Sequence, residues 1–306
     1  MPVHGSSEMI ATKSRPVRAS AIGHVGEILQ GAAQSGSCLH RFLVSLPAPE
    51  FRASATFRPS SKGGLRVSPV WKQKGLRAAN LAFHAFGSPD TSGLVRLSSN
   101  IPVCRGLGSS TSDCVAAIHA AAAWCQADPS AETVAKLAQQ AEGSSDSTMF
   151  GEQVVAFRHC EGTVHEYLGK GLPLLRALLV ESVPASRGVR TDRLQRPDYT
   201  ATQIDCFAQL LSKLKETIQA GDARGIGAVA TASATINQQY FPKPHFGPVI
   251  QVAEQSGALG VAAAHSGTLL VLLYAAEGDS GARISEARAR LAGHGLSANQ
   301  DLLTGL

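Results

Sequence analysis

The sequence predicts an α+β fold in two parts, and three observations carry that expectation. Residues 19–98 read mostly as strands and residues 111–142 as helices, a segregation unlike the regular alternation of a doubly wound parallel sheet. Beyond residue 200 the order is helix, helix, helix, strand, strand, helix. The composition suits helices packed closely on sheets: of 306 residues 44% are hydrophobic, only 5% are aromatic and 30 are glycine. A chain of this length can bury a core without disulfides or a structural metal.

Taken in order, residues 19–31 are short apolar segments broken by glycines, and Arg41 to Leu46 is strand-like. Residues 51–58 alternate as a strand does, and 65–70 form a further candidate. Gly75 to Phe86 has a helical spacing of apolar residues, and Gly93 to Ser98 reads as a strand that enters a loop, 100–110. An Ala-rich helix follows over Thr111 to Cys125. Asp128 is then expected to cap the next helix, with Pro129 at its first position and Glu132 in its first turn, and Gly143 to stop it. Residues 154–157 and 164–167 suggest a hairpin, and 178–183 a strand. Residues 187–200 are polar and read as a connection. Helices are expected at 205–220, 222–239, from about Pro248 to Gly257 and at 281–292, with strands at 259–264 and 268–274. The division into domains is placed at 19–180 and 181–306, after a disordered tail at 1–18.

The formal net charge is +5, from 28 Lys and Arg against 23 Asp and Glu, and the basic residues are scattered. No dense basic run provides a nucleic-acid footprint, whereas a mildly basic balance suits an anionic small substrate. The six cysteines form no C-x-x-C pair and are expected to be reduced, mostly buried thiols. The ten histidines lack zinc-site spacing. The first eighteen residues have no apolar core of a secretory leader, and the longest apolar stretch, 259–276, is interrupted by Gly260, His265, Ser266 and Gly267. The expectation is a cytoplasmic protein with no nucleic-acid or membrane partner.

The informative stretch is Ile101 to Ser112, IPVCRGLGSSTS. It reads as a strand end, a loop with two glycines, a run of hydroxyls and a helix start. Glycines let backbone N–H groups approach a ligand, and unpaired amides at a helix start favour an anion. The same text also fits an ordinary Gly-rich turn with a Ser cap. It contains no Walker loop, no G-x-G-x-x-G and no G-x-S-x-G.

Pro102-Val103-Cys104-Arg105-Gly106-Leu107-Gly108-Ser109-Ser110-Thr111 resembles the ATP-binding P-x-x-x-G-L-G-S-S-[ST] motif of the GHMP kinases. Three more segments agree in order. Gly23-His24-Val25-Gly26-Glu27-Ile28-Leu29-Gln30-Gly31 resembles the first motif of that superfamily, and its G-E-[IL]-[IL]-Q-G ending is similar to the propanediol-utilisation L-threonine kinases. Ala141 to Phe150 resembles the E-P-[ST]-D-S-x-x-F segment of those kinases, with Gly143-Ser144 in place of the Pro-containing form. Residues 260–268 sit where the family has its third, glycine-rich motif, with His265-Ser266-Gly267 in place of the usual G-S-G. The resemblance spans about residues 19–275.

The resemblance implies an N-terminal part like domain 2 of ribosomal protein S5 and a ferredoxin-like C-terminal part, with ATP in the cleft between them. ATP would be held by Pro102, Arg105, Gly106, Leu107, Gly108, Ser109, Ser110 and Thr111, with Asn80 near the adenine. Magnesium would be held by Ser110 and Glu142. The acceptor would lie near His24, Glu27, Asp146, His265, Ser266 and Gly267, and Asp146 would either take the proton of the attacking hydroxyl or bind the substrate ammonium. The implied reaction is phosphorylation of L-threonine to O-phospho-L-threonine, in supply of the aminopropanol phosphate of cobalamin. The alternatives are a GHMP kinase for another small alcohol such as homoserine, and a non-catalytic ATP-binding regulator. A homodimer is left open.

Overall fold

The computed structural model describes residues 15–61, 63–181, 197–265 and 267–305. Two long strands organise it: β1 (Val17–Ser35) and β2 (Cys38–Pro59) form one antiparallel hairpin, closed by the two-residue turn Gly36-Ser37 with Gly36 at φ +58°. Tight hairpin turns of this length favour a residue that tolerates positive φ. Val17 and Arg18 are therefore in a strand and not in a tail; residues 1–14 lie outside the described set. The sequence reading broke this hairpin into short segments because glycines and the prolines Pro47 and Pro49 interrupt its apolar pattern. The structure uses those interruptions: the pairing register shifts on both sides of His24 and again after Glu27, and His24 lies opposite Pro47. Such bulges re-aim side chains, and here they turn His24 and Glu27 into a cleft.

After β2 come β3 (Leu65–Ser68), α1 (Gln73–Ala85), β4 (Gly93–Ser99), α2 (Ser109–Cys125) and α3 (Ala131–Glu142). A short 3-10 turn, Thr148–Phe150, then leads to β5 (Gln153–Arg158), β6 (Thr163–Lys170) and β7 (Leu175–Glu181). The rest is α4 (Ala201–Gln219), α5 (Ala223–Asn237), α6 (Phe246–Gln255), β8 (Gly260–Ala263), β9 (Leu269–Ala275), α7 (Ser280–Gly293) and β10 (Ser297–Thr304). One sheet runs β10-β7-β9-β8-β1-β2-β4-β3, with β5 attached to β2 and β6 to β5. Among the described residues only β3 and β4 pair in parallel. The expected division after residue 180 falls inside β7, which pairs with β9 and β10 of the C-terminal part.

Several local expectations need correction. Ser130 caps α3 by accepting from the Thr133 amide, so Asp128 and Pro129 lie ahead of the helix start. α4 begins earlier than expected because Thr200 and Gln203 form a reciprocal capping box. β10 has the polar text SANQDLLT, with little apolar alternation to reveal it, and it forms the edge of the sheet beside β7. None of the six cysteines is in a disulfide, but only Cys114 is buried, while Cys38 and Cys104 are exposed.

The core explains why α2 is so rich in alanine. Residues 111–118 and 120–122 of this helix are all buried, so it is covered nearly all round, and small side chains let β1, β2, α1 and α3 come close. In β7 the faces divide: Ala177 and Leu179 join the main core, and Leu178 and Val180 a second one under α6 and α7. No helix among the described residues is long and apolar enough to cross a membrane.

The tightest crossing lies between α5 and β8. A Cβ on Gly260 would stand 1.9 Å from the Gly227 carbonyl oxygen. Gly260→Ala should therefore force the helix off the strand and destabilise the protein by about 1–3 kcal/mol, the usual cost of overpacking. Urea unfolding that showed no loss of stability would contradict this packing.

Candidate functional site

A cavity of about 470 Å³ opens where β1, the loop before α2, the end of α3 and the loop after β8 meet. Its floor is the start of α2. Gly106 and Gly108 have φ of +80° and +71°, the left-handed region that glycine enters without a steric penalty. Gly108 is the N-cap and no side chain caps the helix, so its first amides face the cavity without a protein acceptor of that kind. The Leu107 carbonyl accepts from the His24 amide at 3.4 Å, which ties the loop to the bulge of β1. The helix begins at Ser109, two residues before the expected start. The Ser112 hydroxyl donates back to the Gly108 carbonyl (2.9 Å) and to that of Ile22 (2.8 Å).

Oxygen ligands gather beside this helix start. Thr111 donates its hydroxyl to Glu142 Oε1 at 2.6 Å. Ser110 Oγ is buried beside the same carboxylate and makes no well-formed hydrogen bond among the described residues. Burial pushes the Glu142 pKa up to about 7, against the opposing effect of the Thr111 and Ser110 hydroxyls. A cation would relieve the buried carboxylate and could take the adjacent Ser110 hydroxyl as a ligand, so these residues fit magnesium, which takes few protein ligands and completes its shell with phosphate and water. The Lys74 ammonium lines the same cavity.

Asp146 is buried and held from both sides. Thr148 donates its amide (3.1 Å) and hydroxyl (2.8 Å) to Oδ1, and His24 Nε2 lies 3.4 Å from Oδ2. The other ring nitrogen of His24 lies 3.5 Å from Glu27 Oε1. Burial alone would lower the pKa of His24, but Glu27 and Asp146 together raise it above the ordinary value. Burial raises that of Glu27, with His24 opposing. The His24 ring thus lies between two carboxyl groups.

The opposite rim is built from the loop after β8. Gln30 donates to the Ala263 carbonyl (3.1 Å), which leaves its Oε1 to accept from His265 Nδ1 (3.0 Å). Burial, then the neighbouring His159, Lys243 and His24, hold His265 well below its ordinary pKa. Its ring packs edge-on against His159 and Phe241. Lys243 donates to the Gly267 carbonyl at 2.5 Å, and burial lowers its pKa to about 8.

The structure therefore brings together His24, Glu27, Gly106, Leu107, Gly108, Ser109, Ser110, Thr111, Glu142, Asp146 and His265 around one cavity. Four sequence candidates stand apart from its lining. Pro102 and Asn80 are exposed outside it. Arg105 is drawn away into an ion pair with Glu181. Gly267 lies beneath the loop, where a Cβ would meet the Arg105 carbonyl oxygen at 2.1 Å. Ser266 lies outside the described residues. Arg41, Lys74, His159 and Phe241 line the cavity and Lys243 braces it, and none carries a local motif that marks it in the sequence.

The described architecture is the GHMP kinase fold. Residues 73–156 match the GHMP kinases N terminal domain family. A curated relative, L-threonine kinase from Citrobacter freundii, is 28% identical over 180 residues, 58% of this chain and 61% of the relative. The matched region thus spans about three-fifths of that relative's length. Among solved structures, homoserine kinase from Cytophaga hutchinsonii aligns with a TM-score of 0.67 at 15% identity, over 95% of this chain and 94% of its own. Another, MDDEF in complex with MVAPP, AMPPCP and magnesium, has a TM-score of 0.61 at 14% identity, over 95% and 97%.

The metal assignment has a pH signature. In the metal-free fold Glu142 keeps its proton up to about pH 7, whereas the unfolded chain loses it near 4.5. This proton stabilises the fold at low pH, and the contribution fades as pH rises through that window. Magnesium needs the carboxylate, so its binding should strengthen over the same range. The thermal upshift produced by a fixed Mg2+ concentration should be larger at pH 8 than at pH 6, and Glu142→Gln should abolish the difference. Equal upshifts at both pH values would contradict the assignment.

Proposed function

We propose that the protein transfers the γ-phosphoryl group of ATP to the side-chain hydroxyl of L-threonine, giving ADP and O-phospho-L-threonine. The observation that carries this reading is the convergence in one cavity of an uncapped helix start, the Ser110–Thr111–Glu142 cluster and the braced carboxylate of Asp146. Phosphoryl transfer needs positioning and charge neutralisation more than covalent chemistry, and these are the resources of the cleft.

In this reading the amides of Gly106 to Thr111 and the positive end of α2 bind the phosphates. Ser110 and Glu142 hold magnesium, which neutralises phosphate charge when bound. Thr111 keeps Glu142 in place. Asp146 accepts the proton of the acceptor hydroxyl through the carboxylate that Thr148 and His24 orient. The likeness to curated L-threonine kinase supports threonine as acceptor, and the G-E-I-L-Q-G segment at residues 26–31 supports it against homoserine. The product would feed the aminopropanol phosphate of cobalamin in the cytoplasm.

ADP release measured over a panel of hydroxyl amino acids with ATP and Mg2+ tests the proposal. Threonine should be turned over faster than serine or homoserine. Asp146→Asn should lower kcat by about 10²–10⁴ and Glu142→Gln by about 10²–10³, with unchanged circular dichroism. Preference for homoserine would move the acceptor assignment. Nucleotide binding without turnover on the whole panel would favour the regulator.

A further inference from the structure

Two poles of opposite charge stand on the wall of the cleft, and the phosphoryl-transfer chemistry does not occupy either in full. Glu27 is buried, and while its Oε1 faces His24, its Oε2 makes no well-formed hydrogen bond among the described residues, the Ser45 hydroxyl being its polar neighbour. Arg41 donates Nε (3.2 Å) and Nη2 (2.5 Å) to the Pro197 carbonyl. This arrangement fixes the guanidinium plane through one edge and leaves its Nη1 without a partner among the described residues. A planar guanidinium with a free edge matches the two oxygens of a carboxylate. A buried carboxylate oxygen without a well-formed hydrogen bond matches an ammonium.

The strand register places the two poles on the same wall. Arg41, Leu43 and Ser45 alternate on one face of β2, and Glu27 pairs with Ser45 across the hairpin. Arg41 and Ser45 are four residues apart, about 13 Å along the strand. The Arg41 and Glu27 side chains narrow that gap from its two ends, and Leu43 lies between them as an apolar floor to the cavity.

We infer that this wall is a subsite for a zwitterionic α-amino acid, with Arg41 on its carboxylate and Glu27 on its ammonium. The inference deepens the kinase proposal and rests on it for the fate of the side-chain hydroxyl. It assigns the acceptor class by chemistry: a hydroxy acid lacks the ammonium, and a sugar lacks both groups. Arg41 is the specificity-determining residue of this subsite.

Calorimetric titration in the presence of Mg2+ and a non-hydrolysable ATP analogue tests the subsite apart from turnover. Arg41→Met should lose about 100-fold in threonine affinity, bind threonine and its amide alike, and keep the affinity for the ATP analogue. Arg41→Lys should recover only part of the loss, since an ammonium lacks the planar fork. Equal wild-type affinity for threonine and threoninamide, or an Arg41→Met variant with unchanged threonine affinity, would overturn the subsite. Tight, Arg41-dependent threonine binding without ADP formation would instead contradict the kinase proposal and leave the subsite standing.

Discussion

The close approach of three backbone segments governs the cleft. The loop before α2 is wedged between the bulge of β1 and the loop after β8, and it fits only because the contact points have no side chains. A Cβ on Gly108 would come within 2.5 Å of the His24 ring and 2.6 Å of Asp146 Oδ2, and one on Gly106 would stand 2.6 Å from the Ala264 side chain. The wedge sets where the α2 amides point. It also sets how far the helix positive end lies from Asp146 and Glu142. Lys243, which grips the Gly267 carbonyl from behind, keeps the third segment in place.

The electrostatics follow from that geometry. Three carboxylates, Glu27, Glu142 and Asp146, line one cavity, an arrangement that burial makes costly unless each finds a compensating group. His24 serves two of them, and Thr111 and Thr148 serve as hydroxyl donors. The Ser110 hydroxyl and Glu27 Oε2 make no well-formed hydrogen bond among the described residues and no side chain caps α2, and the proposed ligands would complete these groups. The raised pKa of Glu142 comes from burial that the Thr111 and Ser110 hydroxyls only partly offset.

The sequence made some of this legible and hid the rest for physical reasons. The motif at 102–111 and the Glu142–Asp146 segment are local, so their text exposes glycines, hydroxyls and carboxylates within one turn of each other. The α+β order was readable because apolar periodicities are local too. The long hairpin was not: its glycines and prolines look like strand breaks in text, whereas in space they are the bulge that aims His24 and Glu27. β10 was hidden by its polarity at a sheet edge. Arg41, Lys74 and Lys243 could not be chosen among 28 basic residues, because only the tertiary register of β2 and the packing of α1 and the 265–267 loop bring them to the cleft. Arg105 shows the converse: it sits inside the motif, yet its side chain pairs with Glu181 on β7.

Hydrogen exchange with and without ATP analogue and Mg2+ tests the central claim most directly, since it reads the amides themselves. The amides of residues 106–112 should gain strong protection when the nucleotide binds, ahead of any other segment. Saturating nucleotide that leaves those amides exchanging at the same rate, with protection appearing elsewhere, would contradict the account.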